Sequence, residues 1–538
     1  MEQSPGPEEV VASSPRFRRK SSTLVDGIHD HPNKIELAPA QLYSTESGRL
    51  FHSGRIVIIM VGLPARGKTH ISVAIARYLR WLGVKTRIFH LGDYRRATLG
   101  HGQDVPADYF FVNASASSVL LRQKIVKKCR DDIHHFLTEE NGQLAIYDAV
   151  NPLIAGRKSL AKEFAKFNIE TLFIESLCDD ETLIKENVRN VKISSPDYVD
   201  MDPNVAIKDY LSRISARIPH YETMTESDLN FIKMINAGER MIINNCTFGY
   251  LHHRIVFYLL NLHNKSRRTY FARSGPSITE TNYRPDEPLS EAGVDYANKL
   301  ASRLFDYRDE QRRALAQEGI PDIERPLIVW TSTRRRTIET AHPFLERGCR
   351  VRHRSQISRM NPGAVENTPL EEIKKQYPEE LKKHEEDPYN HRYPRAESYH
   401  DLAVKLEPII LELERESNDL LIIAHESVLR VLYGYLMACN AADIPFLSFP
   451  RDEITEIIPG SYHNTARKIH IPDLPPEIIA ASPRGGMKTP GLISGISTPM
   501  PVLEEAAERV SGGNSAGGGG EEPRRAEQIS QAHAEDVV

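Results

Sequence analysis

From residue 55 the chain alternates between near-continuous apolar runs and stretches with an apolar residue every three or four positions. RIVIIMV (55–61), VKTRIFHL (84–91), LAIYDAV (144–150) and ETLFIESL (170–177) have the Ile/Val/Leu density of strands covered on both faces. Between them Ile71, Ala74, Ile75, Tyr78 and Leu79 recur at helical spacing, residues 116–137 and 155–167 read as crossover helices, and 225–263 reads as largely helical, ending in IVFYLLNLH. Alternation of this kind predicts an α/β domain with a mainly parallel sheet, closing near residue 264. A second α/β set opens at RRTYFARSG (267–275) and continues through LIVWTST (327–333) and LLIIAHES (420–427). The charged block TPLEEIKKQYPEELKKHEEDP (368–388) predicts an exposed helical subdomain within it.

Outside these patterns the chain changes character. Residues 1–50 are rich in Ser, Pro and charge without periodicity, which predicts a mostly disordered regulatory arm. A Pro-, Gly- and Ser-rich tail is expected over 473–538, leaving domains at 51–264 and 265–472. A total of 538 residues exceeds what one core organises, so two domains are the natural division. The arm's RRKSS places Arg18 and Arg19 ahead of Ser21 and Ser22, either a target for a basophilic protein kinase or a solvated basic patch. The formal charge of -4 supplies no global basic field for nucleic acid or membrane, and no apolar stretch reaches the roughly 18 residues of a membrane span. Cys129, Cys178, Cys246, Cys349 and Cys439 are scattered without CxxC spacing, which argues against a disulfide framework or zinc site. A cytoplasmic protein is the expectation.

Chemistry concentrates first at residues 55–79. Gly62, Gly67, Lys68 and Thr69 fit G-x-x-x-x-G-K-[ST] between a predicted strand and a predicted helix, the context a phosphate-binding loop requires. In such a loop backbone N–H groups wrap phosphate oxygens, the lysine reaches the β/γ oxygens, and the hydroxyl holds Mg²⁺. Asp148 ends an apolar strand, where it either organises the metal or caps the next helix. Arg95 and Arg96 follow the strand at 84–91, and Arg122 lies on the helix at 116–137. Arginines after strand ends, where α/β sheets bind ligands, point to a phosphorylated acceptor.

VGLPARGKTHIS, YRR, Asp148-Ala149-Val150-Asn151, FIESLCDD and ENVRNVKISSPDY, in this order, resemble the kinase half of 6-phosphofructo-2-kinase/fructose-2,6-bisphosphatase, and the resemblance, to a fungal-like member, runs over roughly residues 52–472. It implies a P-loop kinase domain followed by a histidine-phosphatase-like (phosphoglycerate-mutase-like) α/β domain, a homodimer, and transfer of a phosphoryl group from ATP to the 2-hydroxyl of fructose 6-phosphate. Carried over, Gly62, Leu63, Pro64, Ala65, Arg66, Gly67, Lys68, Thr69 and His70 hold ATP, as do Asn187, Val188, Arg189, Asn190, Val191 and Lys192. Arg95, Arg96, Arg122 and Arg213 receive fructose 6-phosphate; Lys68, Asp148 and Cys178 are catalytic, and Thr69 with Asp148 organises Mg²⁺. Val150 and Arg217 depart from the family's threonine and tyrosine.

For the second half the family signature is Arg-His-Gly-Glu, and this chain reads Arg273-Ser274-Gly275-Pro276. The histidine nucleophile is replaced by a serine, which needs an adjacent base to attack. Arg359 stands where the family has its acid, and a guanidinium donates no proton at neutral pH. Arg273, Arg336, Tyr377, Arg392, Arg395, His425 and Arg430 still match phosphate- and sugar-binding positions. The expectation is therefore a kinase with weak or absent bisphosphatase activity; the rivals are a fully bifunctional enzyme and a non-catalytic nucleotide or sugar-phosphate sensor.

Overall fold

The computed structural model describes residues 38–42, 54–100, 105–106, 108–110, 113–180, 184, 187–188, 211, 215, 220–246, 249–263, 267–278, 286–317, 325–460 and 462–474. β1 (Arg55–Val61), β2 (Thr86–His90), β3 (Leu144–Asp148), β4 (Ile169–Leu177), β5 (Phe231–Ile235) and β6 (Arg240–Asn244) form one sheet in the order β2-β3-β1-β4-β5-β6. Its helices are α1 (Lys68–Trp81), α2 (Leu91–Leu99), α3 (Ala116–Thr138), α4 (Ile154–Ala165) and α5 (Gly249–Asn261). β1 is central and parallel to both neighbours, Ile56 facing Leu144 and Arg55 facing Ile169. Its continuous apolar run has a physical reason: Ile56, Ile58 and Met60 enter one core while Val57, Ile59 and Val61 enter the core on the opposite face.

One expectation fails here. Residues 225–263 are not largely helical: β5 and β6 form an antiparallel pair, and the helix begins only at Gly249. The chain reverses through Asn236, Ala237 and Gly238 at φ of 50°, 58° and 94°, left-handed backbone that a right-handed helix cannot contain. FIKMI and RMIIN carry apolar residues that suit either period, so the Asn-Ala-Gly turn was the deciding signal.

The second sheet contains β7 (Thr269–Arg273), β8 (Leu327–Thr331), β9 (Arg350–His353), β10 (Asp419–Ala424), β11 (Glu453–Ile458) and β12 (Thr465–His470), in the order β12-β11-β7-β10-β8-β9. β7, β10, β8 and β9 are parallel; β11 and β12 are antiparallel additions that the apolar pattern did not announce. Around it lie α6 (Glu291–Gln317), α7 (Arg335–Thr340), α8 (His342–Glu346), α9 (Leu370–Gln376), α10 (Pro378–Glu386), α11 (Tyr399–Arg415) and α12 (Glu426–Leu436). α9 and α10 bury no residue, as the charged block at 368–388 predicts. α11 opens on a capping box in which Ser398 and Asp401 satisfy each other's backbone N–H groups.

The halves share a core. Tyr78 and Trp81 of α1, Tyr258 of α5, Leu406 and Ile410 of α11, and Leu432 and Tyr435 of α12 belong to one apolar cluster. Inside it Arg77 pairs with Glu414 at 2.7 Å, Tyr435 donates to the same carboxylate at 2.6 Å, and Tyr78 stacks on Tyr258 at 4.3 Å. Within the arm that the sequence predicts to be mostly disordered, residues 38–42 are described and packed. Ala40 is buried, its N–H donates to Trp81 O at 2.9 Å, and Tyr389 Oη donates to Pro39 O at 2.8 Å, so this segment bridges both domains.

Candidate active site and second-domain pocket

Parallel strands gather their side chains at carboxyl ends, and in the first sheet β1, β2, β3 and β4 bring the P-loop, His90, Asp148 and Cys178 to one edge. Gly62 has φ of 136°, and a Cβ there would lie 2.6 Å from Ser176 O, so glycine alone fits. Gly67, at φ 84°, caps α1 with no side chain in the way. The loop is braced from three sides: Gly62 N–H donates to Val150 O at 3.1 Å, Asn187 Nδ2 to Ala65 O at 3.1 Å, and Ser176 Oγ to Arg66 O. Lys68 Nζ folds back onto Leu63 O at 2.8 Å.

Thr69 Oγ1 donates to Asp148 Oδ2 at 2.7 Å, and His90 Nδ1 meets the same oxygen at 2.8 Å. Burial alone would raise the Asp148 carboxyl, but His90, Lys68 and Thr69 outweigh it and hold the group below its ordinary 3.8. It is therefore a carboxylate at neutral pH and accepts from Nδ1–H of His90. His90 was missed from the sequence, although β2 pairs it in register with Asp148.

The second residue missed comes from the other domain. Tyr462, between β11 and β12, packs edge-on against His90 at 5.5 Å between ring centroids and hydrogen-bonds with Arg96. Local sequence carries no sign of this, because the contact depends on how the domains dock. The same hairpin supplies Gly460, whose backbone bonds the ring of His70. His70 was expected at ATP, yet its ring faces Arg77, Glu414 and Gly460 at the interface.

Of the expected sugar-phosphate arginines, Arg95 and Arg122 are buried and Arg96 pairs with Asp93. Arg95 lies over the Phe110 ring at 5.2 Å, and Tyr109 and Asp108 face Arg122. Val188 packs with Ala65. Arg189, Asn190, Val191, Lys192, Arg213 and Arg217 lie outside the described residues. Burial pushes the Cys178 thiol up, and Sγ points at Asp180 O at 3.6 Å, an arrangement for a protonated thiol rather than a thiolate.

In the second domain β7 ends at Arg273, β10 runs into His425, and α7 presents Arg336. Arg336 Nη2 donates to His425 Nδ1 at 2.7 Å. Ser274, in the nucleophile's place, is 2% exposed, with its N–H on Ala424 O at 3.0 Å. Arg359 lies close enough to His425 to act on its charge. Arg430 is committed elsewhere: it bonds Leu447 O at 2.5 Å, Tyr399 Oη at 2.8 Å and Glu426 at 3.1 Å. Arg392 is exposed and pairs with Asp401 at 3.5 Å, Arg395 is exposed, and Tyr377 links α9 to α10.

A P-loop above a parallel sheet, with lysine, hydroxyl and carboxylate in mutual reach, defines a phosphotransferase, here fused to a second α/β domain with an arginine-lined pocket at its strand ends. The family model "6-phosphofructo-2-kinase" matches residues 43–266, and "Histidine phosphatase superfamily (branch 1)" matches 270–471. The chain is 42% identical to YLR345W of Saccharomyces cerevisiae, whose name assigns it provisionally to the 6-phosphofructo-2-kinase/fructose-2,6-bisphosphatases, over 83% of this chain and 89% of that one. It is 35% identical to human 6-phosphofructo-2-kinase/fructose-2,6-bisphosphatase 1 over 78% of this chain and 85% of that one. It is also 37% identical to the Saccharomyces cerevisiae protein named fructose-2,6-bisphosphatase, over 77% and 88%. The chain belongs to the 6-phosphofructo-2-kinase/fructose-2,6-bisphosphatase family, and its first half is a kinase domain.

Proposed function

We propose that this chain phosphorylates the 2-hydroxyl of fructose 6-phosphate with ATP, making fructose 2,6-bisphosphate, a regulator of glycolysis, and that its second domain hydrolyses that product weakly or not at all. The kinase reading is carried by one observation: Thr69, Asp148 and His90 meet within 2.8 Å below the P-loop. Asp148 is held charged, and neither bond uses its Oδ1, which is the oxygen suited to orient the sugar hydroxyl. Lys68 stabilises charge on the transferring group. Thr69 and Asp148 form a hydroxyl–carboxylate pair of the hard oxygen donors that Mg²⁺ favours, and these residues would hold the ion; bound there, it would neutralise phosphate charge. Arg95, Arg96 and Arg122 receive the sugar phosphate.

The weak phosphatase reading rests on Ser274 and Arg359 at the nucleophile and acid positions. His425 is held neutral by burial and by Arg336, Arg359, Arg334 and Arg273, and its Nδ1 is occupied by Arg336. A homodimer is supported by the edge strand β6, where Ile242 and Ile243 are 45% and 46% exposed. We assign the protein to the cytoplasm and the arm's Ser21 or Ser22 to a protein kinase; both serines lie outside the described residues.

The test is incubation with Mg-ATP and fructose 6-phosphate, following acid-labile fructose 2,6-bisphosphate over time. Product should accumulate and persist after ATP is exhausted, and Lys68→Met should lower its formation by about two to three orders of magnitude. Product that declines would mean a working bisphosphatase; none with the native protein would leave the sensor reading.

A further inference from the structure

The carboxylate at the centre of the kinase site is held through a side chain that the other domain touches. Thr69 Oγ1 and His90 Nδ1 both reach Asp148 Oδ2, at 2.7 and 2.8 Å, and neither bond uses Oδ1. The terminal torsion of an aspartate is broad, so these two contacts decide which oxygen is left for a substrate only while both donors stay in place. Thr69 is fixed by the first turn of α1. His90 has its backbone fixed twice over, as the last residue of β2, in register with Asp148, and as the N-cap of α2. What remains is the orientation of the imidazole, and the ring of Tyr462 packs edge-on against it, 5.5 Å away with 64° between planes.

Tyr462 reaches this place from a loop with three anchors. The pairing of β11 with β12 ends at Ile458 and Thr465, and Tyr462 stands between them. Asn464 Nδ2 donates to Leu436 O at 2.8 Å at the end of α12, and the Gly460 backbone bonds the ring of His70. The third anchor is Tyr462 itself, whose oxygen accepts from Arg96, since a guanidinium has only N–H groups. Asp148 lies near enough for its charge to act on the same phenol, so one tyrosine of the second domain borders the imidazole, the carboxylate and a sugar-phosphate arginine.

We propose that His90 is a positioning residue that fixes the Asp148 carboxylate for the sugar hydroxyl, and that Tyr462 is the buttress that fixes His90, so the kinase site is complete only with the β11–β12 loop docked. It rests on the reading that Asp148 orients the 2-hydroxyl of fructose 6-phosphate. The two ends of Tyr462 then do different things. Its ring steadies His90 and acts on the chemical step, and its hydroxyl holds Arg96 and acts on sugar-phosphate binding. The second domain thereby serves phosphoryl transfer without any turnover of its own.

The experiment compares full-length variants by steady-state kinase assay and, without substrate, by the NMR resonance of the His90 Nδ1–H proton. His90→Ala should lower kcat about ten- to a hundredfold while KM for ATP stays within about twofold. His90→Asn, whose amide N–H takes the place of Nδ1–H, should recover most of kcat, and His90→Gln, whose amide extends beyond that place, should not. Tyr462→Ala should lower kcat as well as raise KM for fructose 6-phosphate, whereas Tyr462→Phe, which keeps the ring, should raise KM alone. Adding Tyr462→Ala to His90→Ala should lower kcat no further, because both act through one carboxylate. The Nδ1–H resonance, assigned by its absence from His90→Asn, should survive Tyr462→Phe and be lost to exchange with water in Tyr462→Ala. Should His90→Ala fail to fold, the Asn and Gln pair carries the test. Native kcat in His90→Ala, equal kcat in the Asn and Gln variants, losses that multiply in the double variant, or a resonance unchanged by Tyr462→Ala would overturn the proposal. A native protein that makes no product would instead overturn the reading of Asp148, and the resonance would still decide whether Tyr462 holds the imidazole.

Discussion

His70 shows how one side chain can belong to the P-loop by position and to the domain interface by contact. Burial, then Arg77, push its imidazole down from 6.5 to about 4, against the weaker opposing effects of Glu414 and Gly460. Between those values the unfolded chain takes up a proton that the folded chain refuses. Its contribution to stability is therefore complete above 6.5 and is lost as pH falls toward about 4. We expect His70→Gln to flatten the decline in melting temperature between about pH 7.5 and about pH 5, measured by calorimetry, because Gln carries no proton to exchange. An unchanged decline would mean that other groups carry the acid sensitivity. Asp148 works in the opposite sense to a buried lone acid: three favourable partners keep it charged, and Asp148→Asn should retain the His90 and Thr69 contacts in part while cutting kcat by roughly two orders of magnitude. A kinase assay on a variant with native-like melting checks this.

At the scale of elements, the P-loop strand, its helix and Asp148 were legible because their signals are local: a buried apolar run, fixed glycine spacing, and a carboxylate at a strand end. The β5–β6 hairpin was not, since five-residue apolar runs satisfy strand and helix alike and only the left-handed turn decides between them. β11 and β12 were missed for another reason. Thr455 and Glu456 of β11 are buried polar residues, Glu456 pairing with Arg268 and Tyr307, so the strand lacks a pure apolar signature. That hairpin nonetheless brings Tyr462 to Arg96 and His90 in the kinase site. Loss of a hydrogen bond to a charged group costs about 1.5 to 3 kcal/mol, so Tyr462→Phe should raise KM for fructose 6-phosphate by about ten- to a hundredfold with little change in kcat. If KM is unmoved in steady-state assays, the hydroxyl does not serve the sugar-phosphate side of the site.

Across the whole molecule, the two domains are held by a charged group inside an apolar seam. Arg77 and Glu414 lie within the interface, with Tyr435 and Tyr258 completing the hydrogen bonding around them. The Arg77 charge holds the Glu414 carboxyl below its ordinary 4.5, although burial alone would raise it. A buried ion pair offers modest net stability over an apolar replacement, whereas removing one partner strands the other charge away from water. Arg77→Met should therefore destabilise the chain by about 3 to 5 kcal/mol, and Arg77→Met with Glu414→Gln should recover much of that loss. Because Tyr78, Trp81 and Tyr258 of the kinase half face Tyr435 and Glu407 of the other, the loss should fall on both domains together. Denaturant unfolding followed separately through kinase activity and through amide hydrogen exchange of the second domain would show coincident shifts in that case. A shift confined to the kinase signal would mean that the seam joins the domains without making them one cooperative unit.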